Sequence, residues 1–178
     1  MRAVPLTVTA LAAALLLTAC ESDGADAPDD GRSQETGTAA AAGSCVADQL
    51  GSEVGPVNEA PAAGDTGSVT VTITNTGAEC VLEGFPSVRL AAGASVELPR
   101  DPAALPQPLT LPEQATASFT ITYVRGEDGR GVAASAASYA LPDDSAAVFE
   151  FPWSYGDVAR TADGAVDATV SAFQQEGD

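Results

Sequence analysis

Apolar and polar residues alternate one for one along two stretches of this chain, and a period of two marks a strand with one buried face. Val69, Val71 and Ile73 interleave with Thr70, Thr72 and Thr74 before Asn75-Thr76-Gly77 closes the run with turn residues. Ala117, Phe119, Ile121 and Tyr123 interleave with Thr116, Ser118, Thr120 and Thr122, predicting a longer strand that ends at the loop from Gly126 to Gly131. Shorter strands are predicted at Cys80–Leu82, Ser87–Ala91, Ser95–Leu98, Tyr139–Leu141, Val148–Phe151 and Val166–Ala172. Pro86, Pro99, Pro106, Pro112, Pro142 and Pro152 fall between or at the ends of these runs, where a residue without an N–H does not break a central ladder. Roughly seven or more short strands joined by turns predict an all-β domain, an Ig-like two-sheet sandwich. No segment carries a sustained helical stripe, and the Ala-rich stretch Gly131–Ala140 is the one place where a helical turn is expected.

Phe149, Phe151, Trp153 and Tyr155 also alternate, which places four aromatic side chains on one face with Glu150 opposite and Pro152 interrupting the run. The plain reading puts Trp153 in the sandwich core; the other makes the group an edge-strand platform for a partner. Asp143-Asp144 and Glu127-Asp128, with Asp157, Asp163 and Asp167 near in sequence, invite a calcium reading, because hard cations take carboxylate oxygens. The spacing is not that of an EF-hand, and Gly126–Gly131 reads more simply as a hairpin turn with solvated charges.

The N-terminal part follows a different logic. A run from Leu6 to Ala19, preceded by Arg2 and Pro5, is shorter than the roughly 20 apolar residues that span a bilayer. It ends in Leu17-Thr18-Ala19-Cys20, which resembles the lipobox of bacterial lipoprotein precursors. The resemblance implies cleavage before Cys20 and acylation of that residue. Residues 1–19 are then a signal peptide, 20–44 a lipidated cysteine with a disordered acidic linker, and 45–178 the sandwich domain. From Glu21 to Gly43 there is no large apolar residue, so little surface is available for burial to offset the entropy of ordering. The expected location is the outer face of the cytoplasmic membrane, with the membrane as partner through the lipid on Cys20.

Composition removes several chemistries. Among 178 residues, with a formal net charge of -18, there is no His and all 7 basic residues are Arg. Imidazole bases and ligands, Schiff-base lysines and the P-loop lysine are thereby excluded. The acidic surplus also speaks against nucleic acid, whose binding needs clustered cations. Three cysteines divide into Cys20 for lipid and the pair Cys45 and Cys80, for which a disulfide is the default outside the cytoplasm. No catalytic residue, metal ligand or cofactor is assigned. Two carboxylates can hydrolyse glycosides without His or Lys, but nothing here marks such a pair. The leading expectation is a non-catalytic module contacting an envelope protein or small ligand, ahead of a calcium-binding envelope protein and a small carboxylate-based hydrolase.

The order of features is itself informative: Cys45 and Leu50, the Val-Thr alternation into Asn75-Thr76-Gly77, then Cys80-Val81-Leu82-Glu83-Gly84-Phe85-Pro86 followed by Val88 and Leu90, and Leu111-Pro112 leading into Ala115–Tyr123. Together these resemble the actinobacterial lipoprotein domain of unknown function 4232 over most of Cys45 to Phe173. The resemblance implies a secreted Ig-like sandwich and no established activity. Two positions depart from it: Glu113 stands where Gly usually follows Pro112, and a second cysteine pair in the C-terminal half is missing.

Overall fold

The computed structural model describes residues 42–55 and 62–175. The apolar leader, Cys20 and nearly all of the linker lie outside the described residues. A single 3-10 turn, Ala47–Gln49, precedes eleven strands: β1 (Leu50–Val54), β2 (Thr66–Asn75), β3 (Cys80–Leu82), β4 (Ser87–Ala92), β5 (Ala94–Glu97), β6 (Leu109–Leu111), β7 (Thr116–Val124), β8 (Ala136–Ala140), β9 (Val148–Pro152), β10 (Ala168–Val170) and β11 (Gln174–Gln175).

The two alternating runs form the centre. Strands β2 and β7 pair antiparallel with Val69 opposite Ile121, Val71 opposite Phe119 and Ile73 opposite Ala117, so every apolar position lands on the same face. All six of these side chains are buried. Flanked by β1 and β10, and with β11 on the far end of β7, they make a five-stranded sheet in the order β1-β2-β7-β10. A four-stranded sheet, β5-β4-β8-β9, supplies the other layer, and β3-β6 is a small third sheet. Val88 and Leu90 of β4 and Ala137 and Tyr139 of β8 point inward, and Tyr139 meets Phe119 of the first sheet edge to face, ring centroids 5.0 Å apart. The result is the sandwich-like, all-β arrangement that the alternation predicts.

Both ends of the β2–β7 pair are held in place. At one end Asn75 is wholly buried, and its Nδ2 donates to the carbonyls of Ala78 (2.8 Å) and Leu111 (2.9 Å) while its Oδ1 accepts from the Gly77 N–H (3.0 Å). Those bonds satisfy the turn at Asn75-Thr76-Gly77 and tie β2 to β6. At the other end Gly67 faces Tyr123, and a Cβ on it would sit 2.6 Å from the Tyr123 ring. Glycine there makes room for the aromatic side chain.

Three expectations change. Gly131–Ala140 holds no helical turn: Ala136–Ala140 is β8, hydrogen-bonded to β4 on one side and β9 on the other, so sheet pairing overrides the helix preference of alanine. The Gly126–Gly131 loop does not close a hairpin, because β7 and β8 belong to different sheets; it crosses between layers and is held by bridges from Arg125 and Val132 to Val158. Val166–Ala172 contracts to the three residues of β10, with Val166 bridging Arg160 before it.

Asn75→Ala is expected to lower the unfolding free energy by about 1–3 kcal/mol, the cost of leaving buried peptide groups unpaired, read as a lower urea midpoint at unchanged slope.

Candidate functional site

Cys45 and Cys80 are bonded to one another, and both are buried. Cys80 opens β3, so the bridge joins the first described residues to the strand after β2. Backbone bonds run beside it: the Cys45 N–H donates to the Val81 carbonyl at 2.9 Å and the Val81 N–H to the Gly43 carbonyl at 2.8 Å. No free thiol remains among the described residues.

The aromatic run divides as its period requires. Phe149 and Phe151 pair with Tyr139 and Ala137 on the inner face while Glu150 points outward, and Phe149 stacks on Tyr139 at 4.8 Å. After β9 ends at Pro152, Trp153 and Tyr155 continue inward. Trp153 is 6% exposed, packs edge-on against Tyr123 and Tyr155, and donates its Nε1–H to the Gly156 carbonyl at 2.8 Å. It is a core residue. The Tyr123 hydroxyl donates to the Tyr155 carbonyl at 3.2 Å. Burial raises the pKa of Tyr123, with Arg125 opposing, and that of Tyr155. Burial likewise raises Tyr139, whose hydroxyl lacks a hydrogen bond of regular geometry; the nearby Ser52 side chain offsets only part of the shift.

The acidic loops are occupied by their own protein. Arg125, its side chain 15% exposed, reaches from the end of β7 to the carbonyls of Gly126 (2.9 Å) and Asp157 (3.3 Å) and to Asp128 Oδ1 (2.8 Å). Gly156, at φ +83°, has no room for a Cβ beside that guanidinium. Asp157 accepts from the Gly129 N–H, Glu127 pairs with Arg130, Asp163 accepts from the Thr161 hydroxyl, and Asp144 accepts from the Ala47 N–H. Among the described residues no three His, Cys, Asp or Glu side chains are placed to hold a metal ion. The calcium reading is therefore left without a ligand set there. Arg125 instead ties together the loops at Gly126, Asp128 and Asp157 in the half of the domain that has no cysteine pair. The other departure is also accommodated: the Ala115 N–H bonds to the Pro112 carbonyl at 3.0 Å, and the left-handed position of that turn, φ +67°, falls on Gln114 rather than Glu113. A positive φ at the third turn residue is the type II pattern.

Three surface features stand out among the described residues. The outward face of the five-stranded sheet is a ladder of hydroxyls, with Ser68 opposite Thr122, Thr70 opposite Thr120 and Thr72 opposite Ser118. An apolar hollow between the β1 and β9 edges is lined by Val54, Gly55, Phe151, Pro152, Ser154 and Tyr155. A smaller concavity of about 130 Å³ lies on the outer face of the four-stranded sheet, at Ser87, Arg89, Ser138, Ala140, Ser145 and Val148. Sequence reading singles out neither Arg125 nor Arg89. The available signal is their rarity, as two of the five arginines from Cys45 onward, each at a defined strand position.

A disulfide-stapled, all-β sandwich of extended inner alternation and acidic loops defines the class. Residues 45–174 match the model of the family described as a domain of unknown function (DUF4232), and the chain belongs to that family. Neither the curated proteins nor the solved structures contain a significant match.

Two measurements follow from this geometry. Replacing Cys45 and Cys80 together by Ser opens a loop of 35 residues and is expected to cost about 4 kcal/mol in the chain-entropy account, seen as a lower guanidinium midpoint. All three tyrosines are held above their ordinary value near 10, so each contributes stability that is full below about pH 10 and is lost as pH rises through the folded-state value. Tyrosinate absorbance should therefore rise together with loss of the β-sheet circular dichroism, without an earlier separate wave near pH 10.

Proposed function

We propose that this chain is a lipoprotein held on the outer face of the cytoplasmic membrane, whose sandwich acts by non-catalytic contact with another envelope component or a small ligand. The observation that carries the reading is the partition of the cysteines. Two of the three are joined to each other, as suits an oxidising compartment, and the third, Cys20, follows Leu17-Thr18-Ala19 at the end of a short apolar run. In this reading Cys20 carries the lipid, residues 21–43 space the domain from the bilayer, and the loops of the sandwich face outward. More than one acyl chain is needed, since each buried methylene contributes about 0.8 kcal/mol and a single chain anchors only marginally.

A non-catalytic role is favoured by what the chain lacks and by how it uses what it has. There is no His and no Lys, and Asp128, Asp144, Asp157 and Asp163 each serve an arginine, a backbone N–H or a hydroxyl. Family membership adds no activity of its own. Cys20→Ala, expressed at wild-type level, is expected to move the protein from the membrane fraction to the soluble fraction and to abolish incorporation of labelled fatty acid. Retention of the variant in the membrane at the wild-type level would refute the anchor.

A further inference from the structure

We propose that the concavity on the outer face of the four-stranded sheet binds a single carboxylate group, with Arg89 as its cationic partner and the hydroxyls of Ser87, Ser138 and Ser145 as its hydrogen-bond donors.

The site arises directly from the sheet register. Val88 points into the core, so Ser87 and Arg89 of β4 point outward; Tyr139 points inward, so Ser138 and Ala140 of β8 point outward as well. Pairing sets Arg89 beside Ser138 and Ser87 beside Ala140, and β9 then places Val148 next to Ala140. Two neighbouring rows of the sheet thus bring one guanidinium and two hydroxyls together over a small apolar floor. Ser145, in the loop between β8 and β9, supplies the third hydroxyl. That the loop walls the concavity is visible in Ala140, which points away from the core and is nevertheless only 7% exposed.

The donors are uncommitted. None of the three serine hydroxyls has a partner among the described residues. Arg89 gives only one nitrogen, Nη2, to Glu97 at 3.2 Å, so its remaining N–H groups are open to a second acceptor. A guanidinium fork matches a carboxylate in two parallel hydrogen bonds, and serine hydroxyls supply further donors to the same oxygens. The contact with Glu97 shows this guanidinium already donating to a carboxylate through one nitrogen.

Size and charge narrow the ligand. At about 130 Å³ the concavity is less than half of a pocket for a drug-sized molecule. The ligand is therefore a small acid or the carboxylate terminus of something longer that runs off the sheet. Glu97 on one side of Arg89 and Glu150, paired with Ser138, on the other surround the single positive charge with negative ones in a chain of net charge -18. A monoanion fits such a field; a dianionic phosphate meets added repulsion. This inference goes beyond the proposed anchoring and does not depend on it, because every residue of the concavity belongs to the sandwich.

The test uses the full chain carrying Cys20→Ala, titrated with acetate, with N-acetyl-alanyl-alanine, with the same dipeptide amidated at its C-terminus, and with inorganic phosphate, followed by amide chemical shifts. The expected result is saturable shifts at Ser87, Arg89, Ser138 and Ser145 with one or both free carboxylates and none with the amidated dipeptide. Saturation by acetate as strongly as by the dipeptide identifies a small free acid, and a marked preference for the dipeptide identifies a chain terminus. Arg89→Gln should weaken binding by about tenfold or more, as loss of a charge-assisted bond implies. Glu97→Gln should strengthen it by about two- to fivefold, by releasing an exposed competing ion pair. Equal shifts with the amidated dipeptide, phosphate binding as tightly as carboxylate, or no saturable shift at millimolar concentration would each overturn the proposal. Because Arg89 and Glu97 are both exposed, the two variants keep the fold, and their opposite signs separate binding from a general loss of structure.

Discussion

The register of β2 on β7 is the constraint on which the rest of this molecule depends. In a sheet the side chains alternate, so a slip by one residue would turn the inner set Val69, Val71 and Ile73 outward and bring threonines into the core. Two unlike devices oppose the slip. Asn75 caps one end by donating to the carbonyls of Ala78 and Leu111, and the Gly67–Tyr123 pair fits at the other only when the residue without a side chain faces the ring. Once that register stands, Phe119 meets Tyr139, Tyr123 meets Trp153, and the second sheet has a defined surface to pack on.

The strands that sequence pattern reveals are those with one dry and one wet face. Strands β2 and β7 display long alternation, and β3, β4 and β9 follow from short runs bounded by proline and glycine. Strand β1, with Gly51, Ser52 and Glu53, has no such contrast because it lies at a sheet edge, and its pairing is decided by β2. Strands β6 and β11 are three and two residues long, too short for any period to show. Strand β8 is legible only at its C-terminal end, where Tyr139–Leu141 reads as a strand; its start at Ala136 and Ala137 is masked because alanine taken alone favours helix, and pairing with β4 and β9 decides the matter. The disulfide was legible from counting cysteines. Arg125 and Arg89 were not, since a lone arginine acquires its meaning only from the groups that three-dimensional pairing sets around it.

The acidic character of the chain also reads differently in three dimensions. Carboxylates that cluster in sequence disperse into separate local tasks, closing turns and holding Arg125 and Arg130. Meanwhile the outward face of the β2–β7 pair is a field of threonine and serine.

The bond between Cys45 and Cys80 also settles where mechanical tension would travel. A pull on the chain from its N-terminal side enters the domain at Cys45 and crosses a covalent link into β3, beside the bonds that join Gly43 and Cys45 to Val81. Strand β1, which follows Cys45 in the chain, is thereby bypassed, and its five-residue pairing with β2 is not peeled open from that end. Stretching from the N-terminal side alone would leave the segment between Cys45 and Cys80 slack, with the load carried by the strands beyond it.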